Sequence, residues 1–156
     1  MKQTRSFNFE IRAENNERYG DYITGTPVVL NKTTDLGDFT EEIISGALDE
    51  TDMKDVRFLV NHNVDMIPLA RSRNNNENST MQFTVDEVGM NIRVNLDTQE
   101  NVEARALYSA VKRGDISGMS FMFDVDWNDQ IWTELDRKST RLNSSHRLTS
   151  RMPSSA

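Results

Sequence analysis

The sequence contains no cysteine. Disulfides and thiolate metal sites are therefore excluded, and a reducing compartment is compatible. Histidine is almost as scarce: there are two, and only His62 precedes residue 146. A metal at His62 would lack a second imidazole in the body of the chain, leaving Asp65 and distant carboxylates as partners. No apolar run approaches the ~20 residues that span a bilayer. The start, Met1-Lys2-Gln3-Thr4-Arg5, leads into alternation and not into a signal-type apolar stretch. The expectation is a soluble intracellular protein with no membrane partner. There is no glycine-rich phosphate loop. Basic residues are thin over residues 1–136, which carry 13 of the 18 against all 25 acidic ones, a net of −12. That balance argues against a nucleic-acid groove, which needs clustered Lys and Arg.

What is present is one domain's worth of chain, 156 residues at 36% hydrophobic, enough for a single core. Phe7, Phe9 and Ile11 alternate with polar residues and predict a strand over Thr4–Arg12. Glu14–Arg18 reads as a turn. A second strand is expected over Tyr22–Leu30, with Gly25 and Pro27 marking a bulge or an edge. Residues 31–40 read as a loop. Ile43, Ile44, Ala47 and Leu48 predict a helical turn or two within Glu41–Glu50. Val56–Val60 is a short strand that delivers Asn61 and His62, and another begins at Pro68–Ser72. Asn74–Asn78 is a polar turn. Met81–Val85 and Met90–Leu96, joined by Asp86–Gly89, form a hairpin. The clearest helix is Gln99–Arg113, with Val102, Ala106, Leu107, Ala110 and Val111 as its apolar stripe and Gly114 as C-cap. A last strand, Ile116–Val125, carries Ser120.

The fold class is α+β: a mostly antiparallel sheet or small β-barrel with flanking helices. The domain is expected to occupy residues 1–136. Residues 137–156 are rich in Ser and Arg, hold no acid and lack an apolar period, the composition of a disordered end. The string Lys138–His146 also resembles translated sequencing-adapter sequence, which implies an artefactual tail and a natural protein that continues differently after about Asp136.

Two short segments carry the chemistry. Asn61-His62-Asn63 ends one apolar run, and Ser117-Gly118-Met119-Ser120-Phe121 begins another. A serine hydroxyl is a poor nucleophile until a base takes its proton, and a neutral imidazole is such a base. Read locally, Ser120 is equally a strand serine bonded to its neighbours, and His62 a hydrogen-bonded histidine at a strand end. Ser120 is not in a G-x-S-x-G elbow, because Met122 stands where the second glycine belongs. Asp124-Val125-Asp126-Trp127-Asn128-Asp129 resembles half a calcium loop, but Asp129 replaces its glycine and Leu135 its bidentate Glu. No metal and no cofactor is expected.

These blocks together resemble the prohead protease of tailed bacteriophages, a capsid-maturation serine protease related in fold to herpesvirus assemblin. Glu42-Ile43-Ile44-Ser45-Gly46-Ala47-Leu48 is similar to that family's E-x-I-x-x-G-A-[FL] segment. Asn61-His62-Asn63 with Leu69-Ala70-Arg71 is similar to its N-H-[DN] … L-[GA]-R block. Asp86–Met90 matches its hairpin turn, and Val111–Phe121 its serine block. The resemblance covers about residues 4–135. It implies a herpesvirus-protease-like fold, His62 as general base and Ser120 as nucleophile. Gly118 and Met119 would lie by the oxyanion, with Arg71 either supporting it or pairing with an acid. The family takes a third, acidic residue from a strand after the serine strand. Here the chain runs Asp129–Leu135 and the family's later E-V-S segment is absent; Asp124 and Asp126 are poor stand-ins. Assemblin-type enzymes use a second histidine, but His146 sits in the tail and is set aside.

The implied function is a serine endopeptidase that cleaves scaffold or capsid precursor segments, and itself, inside the assembling prohead in the host cytoplasm. Its partners would be the capsid or scaffold precursor and, by analogy with assemblin, a second copy of itself. Two alternatives stand beside it: a non-catalytic capsid-assembly or scaffold module of the same fold, and a polar binding domain in which His62 and Ser120 lie on unrelated faces.

Overall fold

The computed structural model describes residues 2–7, 11–35, 39–124, 130–134 and 142–146. In chain order the strands are β1 (Lys2–Phe7), β2 (Arg12–Asn16), β3 (Gly20–Val29), β4 (Thr34–Asp35), β5 (Phe39–Ile43), β6 (Asp55–Phe58), β7 (Ala70–Arg73), β8 (Met81–Val85) and β9 (Gly89–Asn95). Helix α1 (Val102–Arg113) follows, then β10 (Met119–Asp124), β11 (Gln130–Glu134) and β12 (Leu142–His146).

The central sheet has the order β2-β3-β9-β8, antiparallel throughout. Its outer ladders, β2-β3 and β8-β9, are hairpins of sequence neighbours, and the central ladder β3-β9 joins strands far apart in the chain. β6 pairs with β7 and β1 with β10, and a fourth ladder runs β11-β12-β5-β4. Among the described residues only β12 against β5 is parallel. The described residues thus form mostly antiparallel sheet with one helix, and no ladder among them closes a barrel. Of the two expected alternatives, antiparallel sheet or small barrel, the described residues adopt the open sheet, and they hold one helix in place of the plural flanking helices.

The core joins these pieces. Ile23, Val28 and Val94 are almost wholly buried, with Met81 and Ile92 beside them, and the buried face of the helix adds Ala104, Leu107 and Val111. The stripe differs in part from the one its spacing predicts: Val102 is 71% exposed, and Ala104 takes the inward position. The helix ends are set as expected from chemistry. The Asn101 side chain accepts from the N–H groups of Glu103 and Ala104, and Gly114 closes the helix in the left-handed region. No helix of the described residues is long and apolar enough to cross a membrane.

Four local expectations change. Glu14–Asn16 belong to β2, not to a turn: Asn15 donates to Asp21 and the Tyr22 hydroxyl to Glu14, so polar side chains hold this part of the ladder. Glu41–Ile43 belong to β5. The residues after them form successive turns, in which Ala47 bonds back to Ile44, Asp49 to Gly46 and Thr51 to Leu48, so the second helix is absent. β3 does carry a bulge, between Gly25 and Val28, but it lies between β2 and β9 and is not an edge. Residues 142–146, in the stretch whose composition is that of a disordered end, run as β12 between β11 and β5. The remaining residues of the predicted strands at 8–10 and 125, and residues 137–141 and 147–156 of the tail, lie outside the described residues.

Candidate active site

β6 runs into a tight turn that presents His62. The Asn63 N–H donates to the Val60 carbonyl at 3.1 Å, and the two central residues, Asn61 and His62, both have φ of 53°. Two successive left-handed residues with this bond are the pattern of a mirror-image turn, where Asn and Gly are preferred. A histidine there is uncommon, and such backbone positions concentrate at functional sites. The Asn63 carboxamide accepts from the Asp65 N–H at 3.1 Å, and the Leu69 N–H donates to the Phe58 carbonyl at 3.0 Å, returning the chain into β7. Asn61→Val is expected to cost about 1–2 kcal/mol, because a β-branched residue resists the left-handed region. Thermal melting and the rate of serine labelling should both fall, the latter by about tenfold. Asn61→Gly should keep both; equal behaviour of the two variants would show that the turn does not position His62.

Ser120 is the second residue of β10. Met119 and Phe123 are buried, and Phe121 stacks on Phe123 with ring centroids 4.7 Å apart. These three share one face of the strand, so Ser120 projects from the other. Met119 seats on β3 at Gly25, where a Cβ would stand 3.0 Å from Met119 Cε. β10 is paired with β1, with Ser6 opposite Ser120.

The two segments meet. His62 Nε2 lies 2.5 Å from Ser120 Oγ, across 58 residues of sequence, and both side chains are half-buried. With the imidazole neutral and its proton on Nδ1, the hydroxyl donates to Nε2, the arrangement base-assisted nucleophilic attack requires. The other sequence candidates are placed as follows. Gly118 is exposed, with nothing within 4 Å of where a Cβ would stand. Met119 is a packing residue whose backbone adjoins Ser120. The Arg71 guanidinium grips Asp55, donating from Nε at 2.6 Å and from Nη2 at 2.5 Å, so the acid-pairing alternative is the one its side chain adopts. Among the described residues no carboxylate is hydrogen-bonded to His62. Asp124 ends β10, opposite Lys2; Asp126 and the rest of the calcium-like stretch to Asp129 lie outside the described residues. His146 ends β12, opposite Gln130 and Ile43.

The Arg71 hydrogen bonds hold Asp55 below the ordinary carboxylate value of 3.8. A lowered folded value means that this stabilisation is complete above the unfolded value and is lost as pH falls through the folded one. The melting-temperature gap between the parent and Asp55→Asn should therefore be present at pH 7 and narrow below about pH 3.8. A gap constant down to pH 2 would show that the pair contributes nothing through ionisation.

Sequence reasoning missed two features of this region: the left-handed turn itself, for which the asparagines at 61 and 63 were the signal, and the exposed apolar stretch Val64–Ile67. The latter has no helical or strand period, so nothing in its pattern sets it apart.

A family profile described as caudovirus prohead serine protease matches residues 7–148. The chain belongs to this family. Comparison with curated proteins and with solved structures found no match. Membership in the prohead protease family implies a serine peptidase acting in phage capsid maturation, and with it contact with phage capsid or scaffold proteins. The match also runs past residue 135, where the motif resemblance stops.

Proposed function

We propose that this prohead protease cleaves internal segments of scaffold or capsid precursor, and its own chain, with Ser120 as nucleophile and His62 as general base. The observation that carries the reading is the 2.5 Å approach of His62 Nε2 to Ser120 Oγ. In the first half-reaction the Ser120 oxygen bonds to the scissile carbonyl carbon while its proton passes to Nε2. The imidazolium then protonates the departing amine, the C–N bond breaks, and an acyl-enzyme remains. In the second half, Nε2 takes a proton from water as the hydroxide bonds to the acyl carbon, then returns it to Ser120 Oγ as the C–Oγ bond breaks; the product leaves as the acid and ionises in water. Backbone N–H groups around Gly118–Phe121 would receive the oxyanion, as such sites generally do. In this reading Arg71 serves as the ion-pair partner of Asp55 and not as an oxyanion donor.

The site of action is the interior of the assembling prohead in the host cytoplasm, and the fold is of the assemblin type. The acidic body suits docking on basic partner surfaces. The test is labelling with a small serine-reactive phosphonate. Mass spectrometry should find one adduct, at Ser120, absent in Ser120→Ala and in His62→Asn. If an adduct forms and neither substitution affects it, the nucleophile lies elsewhere; if none forms, the assembly-module reading takes over.

A further inference from the structure

Gly25 has no backbone reason to be glycine. Gly20, Gly46 and Gly114 adopt the left-handed region, but Gly25 does not, and neither does any residue of the β3 bulge that begins there. Its backbone suits any L-residue. Within a strand glycine is a loss, because it gives the unfolded chain more freedom and packs nothing. Gly25 also lies on the core face of β3, the face of the wholly buried Ile23, and opposite the buried Ile92. A side chain at that place would ordinarily gain from burial.

Met119 takes the space instead. A Cβ on Gly25 would stand 3.0 Å from Met119 Cε and 3.3 Å from its Sδ, whereas the next neighbour, Ile11 Cα at 3.9 Å, is in ordinary contact. Met119 is 8% exposed, so its side chain is enclosed. It begins β10 and directly precedes Ser120. Among the described residues β10 has one strand partner, β1, and it packs against β3 without a ladder. The depth to which Met119 sinks onto β3 therefore sets how far Ser120, which projects from the other face, stands toward His62. That approach has little slack, with Nε2 and Oγ 2.5 Å apart.

We propose that Gly25 is a positioning residue for the serine: its missing side chain is the socket in which Met119 seats β10, and the seat holds Ser120 Oγ at His62 Nε2. The inference rests on the catalytic reading of that pair and places a determinant of reactivity on β3, a strand that supplies no reacting atom. A purely structural role predicts lost stability alone. A positioning role predicts slow serine chemistry in folded protein, and recovery when socket and occupant exchange volume.

The test measures labelling by the small phosphonate across pH, in the full chain, beside thermal melting. Gly25→Ala asks the Met119 tip to give by a few tenths of an ångström and should slow labelling by about threefold. Gly25→Val displaces the thioether end as a whole. It should slow labelling by roughly tenfold to a hundredfold at temperatures where the protein is folded, and weaken the pH dependence that a base-assisted serine shows. Met119→Ala removes Cγ, Sδ and Cε, and Gly25→Val adds Cβ and its two methyls, so the double variant conserves volume. It should recover labelling and its pH dependence to within about threefold of the parent. Parent-like labelling by Gly25→Val overturns the proposal. So does a folded double variant that stays as slow as Gly25→Val, because the seat is then not what places Ser120. If Gly25→Val does not fold, Gly25→Ala decides: an unchanged rate, or a reduced one that Met119→Ala fails to restore, overturns the proposal as well. Absence of labelling in the parent instead sinks the catalytic reading itself, and this inference with it.

Discussion

Gly89→Ala is expected to destabilise the protein by about 3 kcal/mol, a large share of a typical domain's stability. A Cβ at this position would stand 2.0 Å from the Val28 carbonyl oxygen, 3.0 Å from its carbon and 3.1 Å from Val29 Cα. All three are backbone atoms of the neighbouring strand, so no side chain is free to swing away. The strain falls where β3 resumes its register with β9 after the bulge, with Val28 opposite Met90 and Val29 opposite Gly89. The same strand carries Gly25, on which Met119 rests, so the damage reaches the strand of Ser120. Gly118→Ala is the control on stability, because nothing lies within 4 Å of its Cβ position; its effect should stay within roughly 0.5 kcal/mol. Urea unfolding of both variants checks this. Equal midpoints would show that β3 and β9 are not packed as closely as described.

Much of this architecture is legible in the sequence, and the failures share a cause. The hairpin Met81–Leu96 is readable because its alternation and its turn lie within one local stretch. The helix is readable from Leu107, Val111 and Gly114, although the spacing alone lets Val102 pass for a core residue. Glu41–Leu48 misleads because Ile43, Ile44, Ala47 and Leu48 suit a helix as well as a strand end. What decides it is pairing with β4 and β12, and β12 lies about a hundred residues further along the chain. Local pattern carries no information about such partners. The same limit applies at the candidate site. Val56–Val60 and the serine strand are each visible, but nothing in either segment says that residue 62 meets residue 120. Only the order of motifs points there, and the geometry then puts the two side chains in contact. The left-handed turn is hard to read for a different reason: Asn61 hints at it, but the φ at His62 breaks the local preference of histidine, as functional positions often do.

That contact has a kinetic signature. Ser120→Ala and His62→Asn are each expected to lower kcat/KM by about 10⁴-fold or more on a cleaved peptide, and the double variant by scarcely more than either. The reasoning is that the proton leaves Ser120 Oγ for His62 Nε2 in the same step that forms the acyl bond, so each group is idle without the other. Asn is the better replacement at 62 because it tolerates the φ of 53° that the turn imposes. Melting temperatures of all three variants should therefore stay near the parent's, which separates lost chemistry from lost structure. If the single losses multiply in the double variant, His62 and Ser120 act independently and their 2.5 Å contact is structural. If Ser120→Ala processes peptide as the parent does, the nucleophile lies elsewhere and the dyad has no catalytic role.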